Sequence, residues 1–320
     1  MRKQFTETTK KILKYNKNAL LILGDIGVYG FREDIEKKQF GEVFTPMHLV
    51  NEMLDKLPKE VWKNKDLKWL DPCCGMGNFP IAVYLRLIEG LKEEIKDVKE
   101  RKKHILVNMI YMSELNKKNV LITKQIFDIN NELKLNIYEG DSLKVDYDKE
   151  FGIKQFDIIM GNPPYQDNQN ANGKRGGGDL LWNKFVINSF VLLKNKGFLC
   201  FVHPAGWRKP ESEKSKYKKL FKLMTYENQM LYLEIHDTKD GLKTFKAGTR
   251  YDWYIIEKIK KYTLTEIKGE DNKIVKINLE GWNFLPNYNF ENIYKLLANN
   301  AEQLCKIIYS VSNYESRKKW

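Results

Sequence analysis

The feature that most constrains the fold is an alternation of short strand-like runs with longer helix-like stretches along the middle of the chain. Seven short runs rich in β-branched and aromatic residues predict strands, at residues 68–71, 109–113, 135–138, 156–160, 198–203, 231–235 and 253–256. Between them lie charged stretches with helical spacing, at residues 79–101, 117–133, 181–193 and 212–226. Such alternation predicts an α/β fold in which helices cross over between the parallel strands of a seven-stranded sheet.

The length of 320 residues allows one large domain with additional segments. We predict an N-terminal helical extension at residues 1–40, the α/β domain at residues 41–260 and a small C-terminal appendage at residues 261–320. The last eight residues are polar and basic, unlike the end of a packed element. We therefore expect that the natural protein continues beyond them or that another chain completes it.

Composition excludes several classes of protein. No apolar run approaches the roughly 20 residues that a membrane span needs, and the basic, polar N-terminus lacks the apolar core of a signal peptide. Cys73 and Cys74 are adjacent, which fits neither a zinc site nor a redox pair, so we expect reduced thiols, no metal and a cytoplasmic location. The formal net charge of +13 favours a polyanionic partner such as nucleic acid or an anionic membrane surface, although AT-rich coding produces the same lysine excess.

The first chemical motif is the segment Asp-Pro-Cys-Cys-Gly-Met-Gly-Asn-Phe at residues 71–79, which runs from a strand end into a helix. Gly75 and Gly77 let the backbone turn sharply and approach a ligand, and the helix N-terminus offers free N–H groups. Pro80 occupies the place of the third glycine of a dinucleotide motif, so a smaller nucleoside cofactor is favoured. A plain tight turn is the alternative.

Two acidic residues support the cofactor interpretation. Glu114 follows the second predicted strand and Asp141 follows the third, and the carboxyl ends of strands are where open α/β sheets bind ligands. An acid at the end of the second strand typically accepts ribose hydroxyls. Helix capping is the alternative role for such a residue.

The second motif, Asn162-Pro163-Pro164-Tyr165, ends the buried strand at residues 156–160. The prolines fix the turn, so that the Asn162 amide oxygen and the Pro163 carbonyl oxygen are held in place. Both oxygens can accept hydrogen bonds from an exocyclic NH2 group, which localises the lone pair of the amine and aims it at an electrophile. Tyr165 offers a flat face on which a planar base or amide can stack; a proline-terminated strand with a core tyrosine is the alternative.

These motifs, with Phe44-Thr45-Pro46 upstream, resemble those of the S-adenosylmethionine-dependent N6-adenine DNA methyltransferases in which the cofactor motif precedes the catalytic one. The resemblance covers residues 41–260. It implies a Rossmann-like methyltransferase domain that moves a methyl group from S-adenosylmethionine to the N6 amine of a flipped-out adenine. The biological setting it implies is the modification part of a restriction-modification system.

The same resemblance assigns roles to individual residues. The implied cofactor-binding residues are Phe44, Thr45, Pro46, Asp71, Gly75, Gly77, Glu114 and Asp141. Among them Glu114 would hold the ribose and Asp141 the adenine of the cofactor. The implied catalytic residues are Asn162, Pro163, Pro164 and Tyr165. Tyr165 would stack on the target base, and a second face could come from Phe245 or Tyr251, for which a role in the core is the alternative.

Double-stranded DNA is the implied partner, and basic side chains would hold its phosphates. The candidate contacts are Lys174, Arg175, Arg208, Lys209 and Arg250. Only about sixty residues follow residue 260, whereas the family usually carries a target-recognition domain there. We therefore expect that these residues begin such a region, that a recognition or nuclease partner subunit supplies it, or that base specificity is loose.

Other functions fit the same fold. A protein glutamine-N5 methyltransferase and an RNA adenine-N6 methyltransferase would also present a planar NH2 group to the Asn-Pro-Pro-Tyr motif. A non-catalytic DNA-binding subunit is the alternative from a different class of protein, and the two intact motifs speak against it.

Overall fold

A computed structural model describes residues 45–165, 180–209, 217, 219–260 and 263–295. The predicted N-terminal extension, the polar loop at residues 166–179 and the last residues from 296 onward lie outside this part. Phe44, Lys174 and Arg175 also lie outside it. No described helix is long and apolar enough to cross a membrane.

The described chain forms one mixed sheet with the strand order β3-β2-β1-β4-β5-β7-β6-β8-β9. The strands are β1 (Trp69–Asp71), β2 (Ile110–Glu114), β3 (Asn136–Glu139), β4 (Phe156–Gly161), β5 (Leu193–Pro204), β6 (Gln229–His236), β7 (Tyr251–Glu257), β8 (Thr265–Lys268) and β9 (Ile274–Ile277). Strands β1 to β5 are mutually parallel, and β7 is antiparallel to both β5 and β6. The predicted α/β fold is confirmed, except that β7 is antiparallel among the seven strands that were predicted to be parallel.

Two strands extend the sheet beyond the seven that were predicted. β8 pairs parallel to β6, and β9 pairs antiparallel to β8 at the edge of the sheet. Every second residue of β9 is exposed, and Ile274 is 58% exposed. Residues after position 260 thus continue the same sheet, while the proposed division of the chain into domains stays a prediction.

The helices connect the strands. They are α1 (Met47–Asp55), α2 (Asn78–Gly90), α3 (Val98–His104), α4 (Lys117–Phe127), α5 (Tyr147–Phe151), α6 (Trp182–Leu192), α7 (Leu220–Thr225), α8 (Thr238–Phe245) and α9 (Phe290–Tyr294). The helix predicted at residues 79–101 is divided into α2 and α3. Gly90 ends α2 where the chain packs against the backbone of Trp62: a β-carbon on Gly90 would lie 2.0 Å from the Trp62 carbonyl oxygen.

Alternate residues of the central strands point into two separate cores. Trp69 belongs to the core that contains residues of α1 and α2, whereas its neighbour Leu70 belongs to the core that contains residues of α6. Since both faces of β1 are covered, all three of its residues are buried. This double coverage explains why the predicted strands read as continuous apolar runs.

Candidate active site

The two sequence motifs meet at one edge of the sheet, where β1, β2 and β4 end. β1 lies between β2 and β4 and is parallel to both, so Asp71, Glu114 and Gly161 finish their strands on the same side. The chain order of the strands reverses between β1 and β4, and open α/β sheets form their ligand crevice at such a point. Residues that are about 90 positions apart in the chain are thereby brought together.

Gly161 allows β4 to approach the end of β1 closely. Its φ angle is +152°, and a β-carbon at this position would lie 2.9 Å from Oδ1 of Asp71 and 3.5 Å from the Cys73 sulfur. Any larger residue would therefore push the two strand ends apart. Asn162 follows immediately, so the catalytic motif begins beside the Asp71 carboxyl group.

Asp71 is buried, with 1% of its surface exposed. Its Oδ1 accepts a hydrogen bond from the Cys73 N–H at 3.1 Å, and no cationic side chain of the described residues is paired with it. Burial raises the pKa of the carboxyl group to about 8, the backbone hydrogen bond from Cys73 opposes this, and the negative charge of Glu114 adds to it. The group can therefore change its protonation state near neutral pH.

Glu114 connects the end of β2 to the loop after β1. Its Oε2 accepts a hydrogen bond from the Gly75 N–H at 2.8 Å, and its Oε1 accepts one from the Asn116 N–H at 2.7 Å. The predicted ribose-binding residue and the predicted loop glycine are thus in direct contact.

The loop turns into α2 through Gly77, whose φ of +91° lies in the left-handed region that favours glycine. The loop is also held from the side, because the Thr123 hydroxyl donates a hydrogen bond to the Gly75 carbonyl at 3.2 Å. At the start of α2 the Asn78 amide donates to the Thr45 carbonyl at 2.9 Å, which brings Thr45 and the adjoining Pro46 to the same loop. Thr45 is buried.

Asp141 lies two residues beyond β3 and is partly exposed. It is close to Glu114 along the edge, since the intervening Gly140 N–H donates to the Glu114 carbonyl at 2.9 Å. Its Oδ2 pairs with Lys144 at 3.0 Å. Leu115, which follows Glu114, is 50% exposed at this edge and offers an apolar surface to a base; its sequence signal is an apolar residue directly after the strand-end acid.

The Asn-Pro-Pro-Tyr motif follows β4 directly, as predicted. Pro163 is buried and the other three residues are partly buried. Burial raises the pKa of Tyr165 well above its ordinary value, and a side-chain interaction with Asn162 acts in the opposite direction. The Leu181 N–H donates to the Tyr165 carbonyl at 3.3 Å, which joins the motif to the start of α6.

An aromatic stack adjoins the motif at this point. Trp182, the first residue of α6, stacks on His203 with ring centroids 4.1 Å apart and on Tyr217 with ring centroids 5.4 Å apart. Burial lowers the pKa of His203 to about 3, so its ring is neutral at physiological pH. Tyr217 was missed in the sequence analysis because it is surrounded by lysines in the chain.

Arg208 does not have the position predicted for a DNA contact. It is 5% exposed, and its Nε lies 2.7 Å from Oδ2 of the fully buried Asp252. It also donates hydrogen bonds to the Leu285 and Pro286 carbonyls and to the Asn287 side chain. The guanidinium group thus stabilises the protein interior, and its burial contradicts the predicted contact with phosphate.

Two other basic residues remain accessible. Lys209 is exposed, and the Arg250 side chain is 48% exposed while its Nε lies 2.7 Å from Glu270. Their predicted contacts with DNA stay predictions. Tyr251 is 2% exposed and packs between His236 and Phe245, so it cannot supply the second face for a base. Phe245, which is partly buried, keeps that predicted role.

Within the described residues, no group of three or more histidine, cysteine, aspartate or glutamate side chains is arranged to hold a metal ion. The site consists of a glycine loop, three acids at or just beyond the ends of β1, β2 and β3, and a rigid polar turn next to aromatic rings. Such a site can hold a nucleoside-like ligand along β1 to β3 and orient a planar amine at the end of β4.

Known proteins are similar to this chain in sequence, and solved structures are similar to it in fold. A Mycoplasma pneumoniae protein named uncharacterized adenine-specific methylase is 27% identical over 235 residues, which cover 52% of this chain and 55% of that protein. The type II methyltransferase M.VspI of a Vibrio species is 26% identical over 205 residues, 61% of this chain and 44% of its own length. The chain thus spans about half the length of the curated relatives it matches.

A solved DrdV–DNA complex has a similar fold, with a TM-score of 0.56 and 16% identity, over 78% of this chain and 30% of that one. The sequence itself matches a family model across residues 51–245, which include β1 to β6 and both motifs. On this match the chain belongs to the Eco57I restriction-modification methylase family.

Proposed function

We propose that this chain transfers a methyl group from S-adenosylmethionine to the N6 amine of adenine in double-stranded DNA, as the modification part of a restriction-modification system. The observation that carries the proposal is the meeting of the Asn-Pro-Pro-Tyr turn with the loop at residues 71–79 on one sheet edge. Membership of the Eco57I family and the names of the relatives support it.

The residues along the edge fit S-adenosylmethionine. Glu114 lies at the end of β2 for the ribose hydroxyls, Asp141 lies next along the edge for the adenine, and the buried Asp71 carboxyl faces no cation of the described residues. Gly75 and Gly77 leave room for the methionine side of the ligand. When bound, this cofactor supplies an electrophilic methyl group.

Asn162 and Pro163 orient the amine that receives the methyl group. Their two oxygens accept hydrogen bonds from this NH2 group, so that the nitrogen lone pair is no longer shared with the ring and points at the electrophile. The hydrogen bonds of β4 to β1 and β5 hold this turn from both sides. A strong general base is not needed for the step. His203, neutral and buried, stacks on Trp182.

Tyr165 would stack on the flipped-out adenine, since bases bound outside the duplex are held between flat side chains. Its ring is partly buried against the core that contains α6. Phe245 is the candidate for the opposite face. Tyr217 stacks on Trp182 at the start of α6, where the preceding Leu181 N–H donates to the Tyr165 carbonyl.

DNA is the substrate that the net charge of +13 favours, and Lys209 and Arg250 are exposed basic groups that could contact its phosphates. The relatives extend well beyond the part that this chain matches. A recognition or nuclease partner subunit would supply the functions of that additional part. A cytoplasmic location, as predicted from the sequence, fits a protein that acts on DNA.

The direct test is transfer of tritiated methyl from S-adenosylmethionine to unmethylated duplex DNA, with RNA and a bacterial protein extract as parallel acceptors. We expect label in DNA, recovered as N6-methyladenine on nucleoside analysis. Label in RNA or in protein glutamine would mean that the substrate is RNA or protein rather than DNA, while the reaction would still be methyl transfer. Cofactor binding without label in any acceptor would favour the non-catalytic subunit or a missing partner.

A matched pair of variants tests the assigned roles. Asn162→Ala should abolish methyl transfer and leave cofactor binding close to that of the wild type, because the amide contacts the acceptor amine. Tyr165→Ala should reduce turnover more than it reduces DNA binding. If Asn162→Ala loses cofactor affinity instead, the residue does not have the proposed role.

A further inference from the structure

Asp71 is a buried carboxyl group whose surroundings contain no positive charge among the described residues. The titratable groups that face it are Glu114 at the end of β2, the thiols of Cys73 and Cys74 in the loop, and the Tyr147 hydroxyl of α5. All of them are neutral or negative. This is unusual in a chain with a net charge of +13.

Burying a carboxylate without a partner costs free energy of folding, and a protein normally pairs such a group or keeps it protonated. Here burial raises the pKa of Asp71 to about 8, so the group is mostly in its neutral form at pH 7. A cation placed next to it would favour the carboxylate, whereas a neutral ligand would not.

The position of Asp71 indicates which part of a ligand it faces. Its Oδ1 lies 2.9 Å from the point where a β-carbon of Gly161 would be, and Gly161 directly precedes Asn162. The carboxyl group is therefore beside the turn that presents the acceptor amine. In the proposed reaction the group that must come to this turn is the methyl-bearing sulfonium centre.

We propose that Asp71 makes the site distinguish the positively charged sulfonium cofactor from its neutral thioether product, so that methyl transfer itself weakens binding and promotes product release. This inference rests on the proposed function. It assigns Asp71 a role in selecting the charge of the ligand, in addition to its predicted place in the cofactor loop.

The proton balance follows from this role. Binding of the sulfonium ligand below about pH 8 releases the Asp71 proton to solvent. Methyl transfer removes the positive charge from the site, because the electrons of the broken carbon–sulfur bond stay with sulfur; a nitrogen–carbon bond forms and the amine loses one proton to solvent. Asp71 then takes up a proton from solvent, and the product is left without an electrostatic partner.

The experiment is isothermal titration calorimetry of the full chain with S-adenosylmethionine, S-adenosylhomocysteine and sinefungin, between about pH 6 and pH 9. Sinefungin has a protonated amine in place of the methyl sulfonium group and cannot transfer a methyl group. Each titration is repeated in two buffers with different ionisation enthalpies, which gives the number of protons released.

We expect the two cationic ligands to release more protons than S-adenosylhomocysteine. The ratio of the product dissociation constant to the cofactor dissociation constant should rise by up to about tenfold per pH unit below about pH 8 and then level off. In Asp71→Asn this ratio should be small and independent of pH. Asp141→Asn, a carboxyl at the same edge, should weaken all three ligands alike and keep the pH dependence.

The outcomes separate the two proposals. If the wild type binds none of the three ligands, the proposed function is wrong. If the wild type binds them with a ratio that does not change with pH, and with equal proton release, the function stands and the role of Asp71 is wrong. The wild-type measurement decides this even if Asp71→Asn fails to fold.

Discussion

Two buried carboxyl groups at the same edge of the sheet have opposite surroundings. Asp252, in β7, is 0% exposed and its Oδ2 lies 2.7 Å from the Arg208 guanidinium. Asp71, at the end of β1, is 1% exposed and accepts a backbone N–H from Cys73. Asp252 is paired with a cation within the fold, whereas Asp71 is paired with no cation of the described residues. A buried carboxyl group that is paired with a cation within the fold indicates a structural role, and one without such a cation indicates a place for a ligand.

The largest expected effect on stability comes from breaking the ion pair between Arg208 and Asp252. Arg208→Gln leaves Asp252 buried without a partner, and such a change costs about 3–5 kcal/mol of stability. Urea unfolding followed by circular dichroism measures it. Adding Asp252→Asn should recover part of the loss, and Lys209→Gln at the next, exposed position should have little effect. A small loss in Arg208→Gln would mean that the pair contributes little.

The next largest effect on stability tests how closely Gly161 packs against Asp71. Gly161→Ala places a β-carbon 2.9 Å from Oδ1 of Asp71 at a φ of +152°, and backbone strain alone costs about 1–3 kcal/mol. Gly281→Ala is the matched control, because Gly281 also has a positive φ, of +84°, and nothing lies within 4 Å of the added carbon. Thermal and urea unfolding should show the larger loss in Gly161→Ala. Equal losses would mean that contact with Asp71 adds nothing.

The pH dependence of stability tests the burial of the Asp71 carboxyl group. Because the pKa of Asp71 is raised from 3.8 to about 8 in the folded protein, the folded state keeps a proton that the unfolded state loses. Stability should therefore fall as pH rises from about 4 to about 8, by up to about 1.4 kcal/mol per pH unit from this group.

Urea unfolding of the wild type and Asp71→Asn at several pH values measures this slope as their difference. Asp141→Asn, in which a partly exposed carboxyl group is replaced, should keep the wild-type slope. If wild type and Asp71→Asn change in parallel with pH, Asp71 is not protonated in the folded protein in this range.

The smallest effect on stability is expected for an exposed ion pair. Arg250 pairs with Glu270 at 2.7 Å, as Arg208 pairs with Asp252, but its side chain is 48% exposed. Arg250→Gln should cost about 0–1 kcal/mol of stability. If Arg250 contacts a phosphate, the variant should also reduce the slope of log affinity for DNA against log salt by roughly one. An unchanged slope would remove Arg250 from the predicted contacts.

The fold was largely predictable because its central strands are buried on both faces. Continuous apolar runs mark β1 and β4 in any context, and each run ends in a turn that is recognisable from proline or glycine. β8 and β9 were missed because they are four residues long; β8 carries glutamate and lysine at alternate positions, and β9 contains a lysine. Such segments depend on pairing with a neighbour that the local sequence does not reveal.

The errors at the site have a similar physical cause. Arg208 stands beside Lys209 in a basic stretch, and its burial depends on Asp252 and on carbonyl groups up to 79 positions away in the chain. Tyr251 begins a strand whose neighbours cover its ring, a fact set by the antiparallel pairing of β7. The motifs with glycine and proline could be located because their backbone geometry is local.

The two hydrogen bonds of Glu114 have a consequence for the energetics of ligand binding. One carboxylate oxygen holds the Gly75 N–H and the other holds the Asn116 N–H, so the loop is joined to β2 before a ligand arrives. Ordering a flexible backbone costs about 1–2 kcal/mol of conformational entropy per residue. A preorganised loop has lost this freedom during folding, and more of the contact energy of the ligand is then available as affinity.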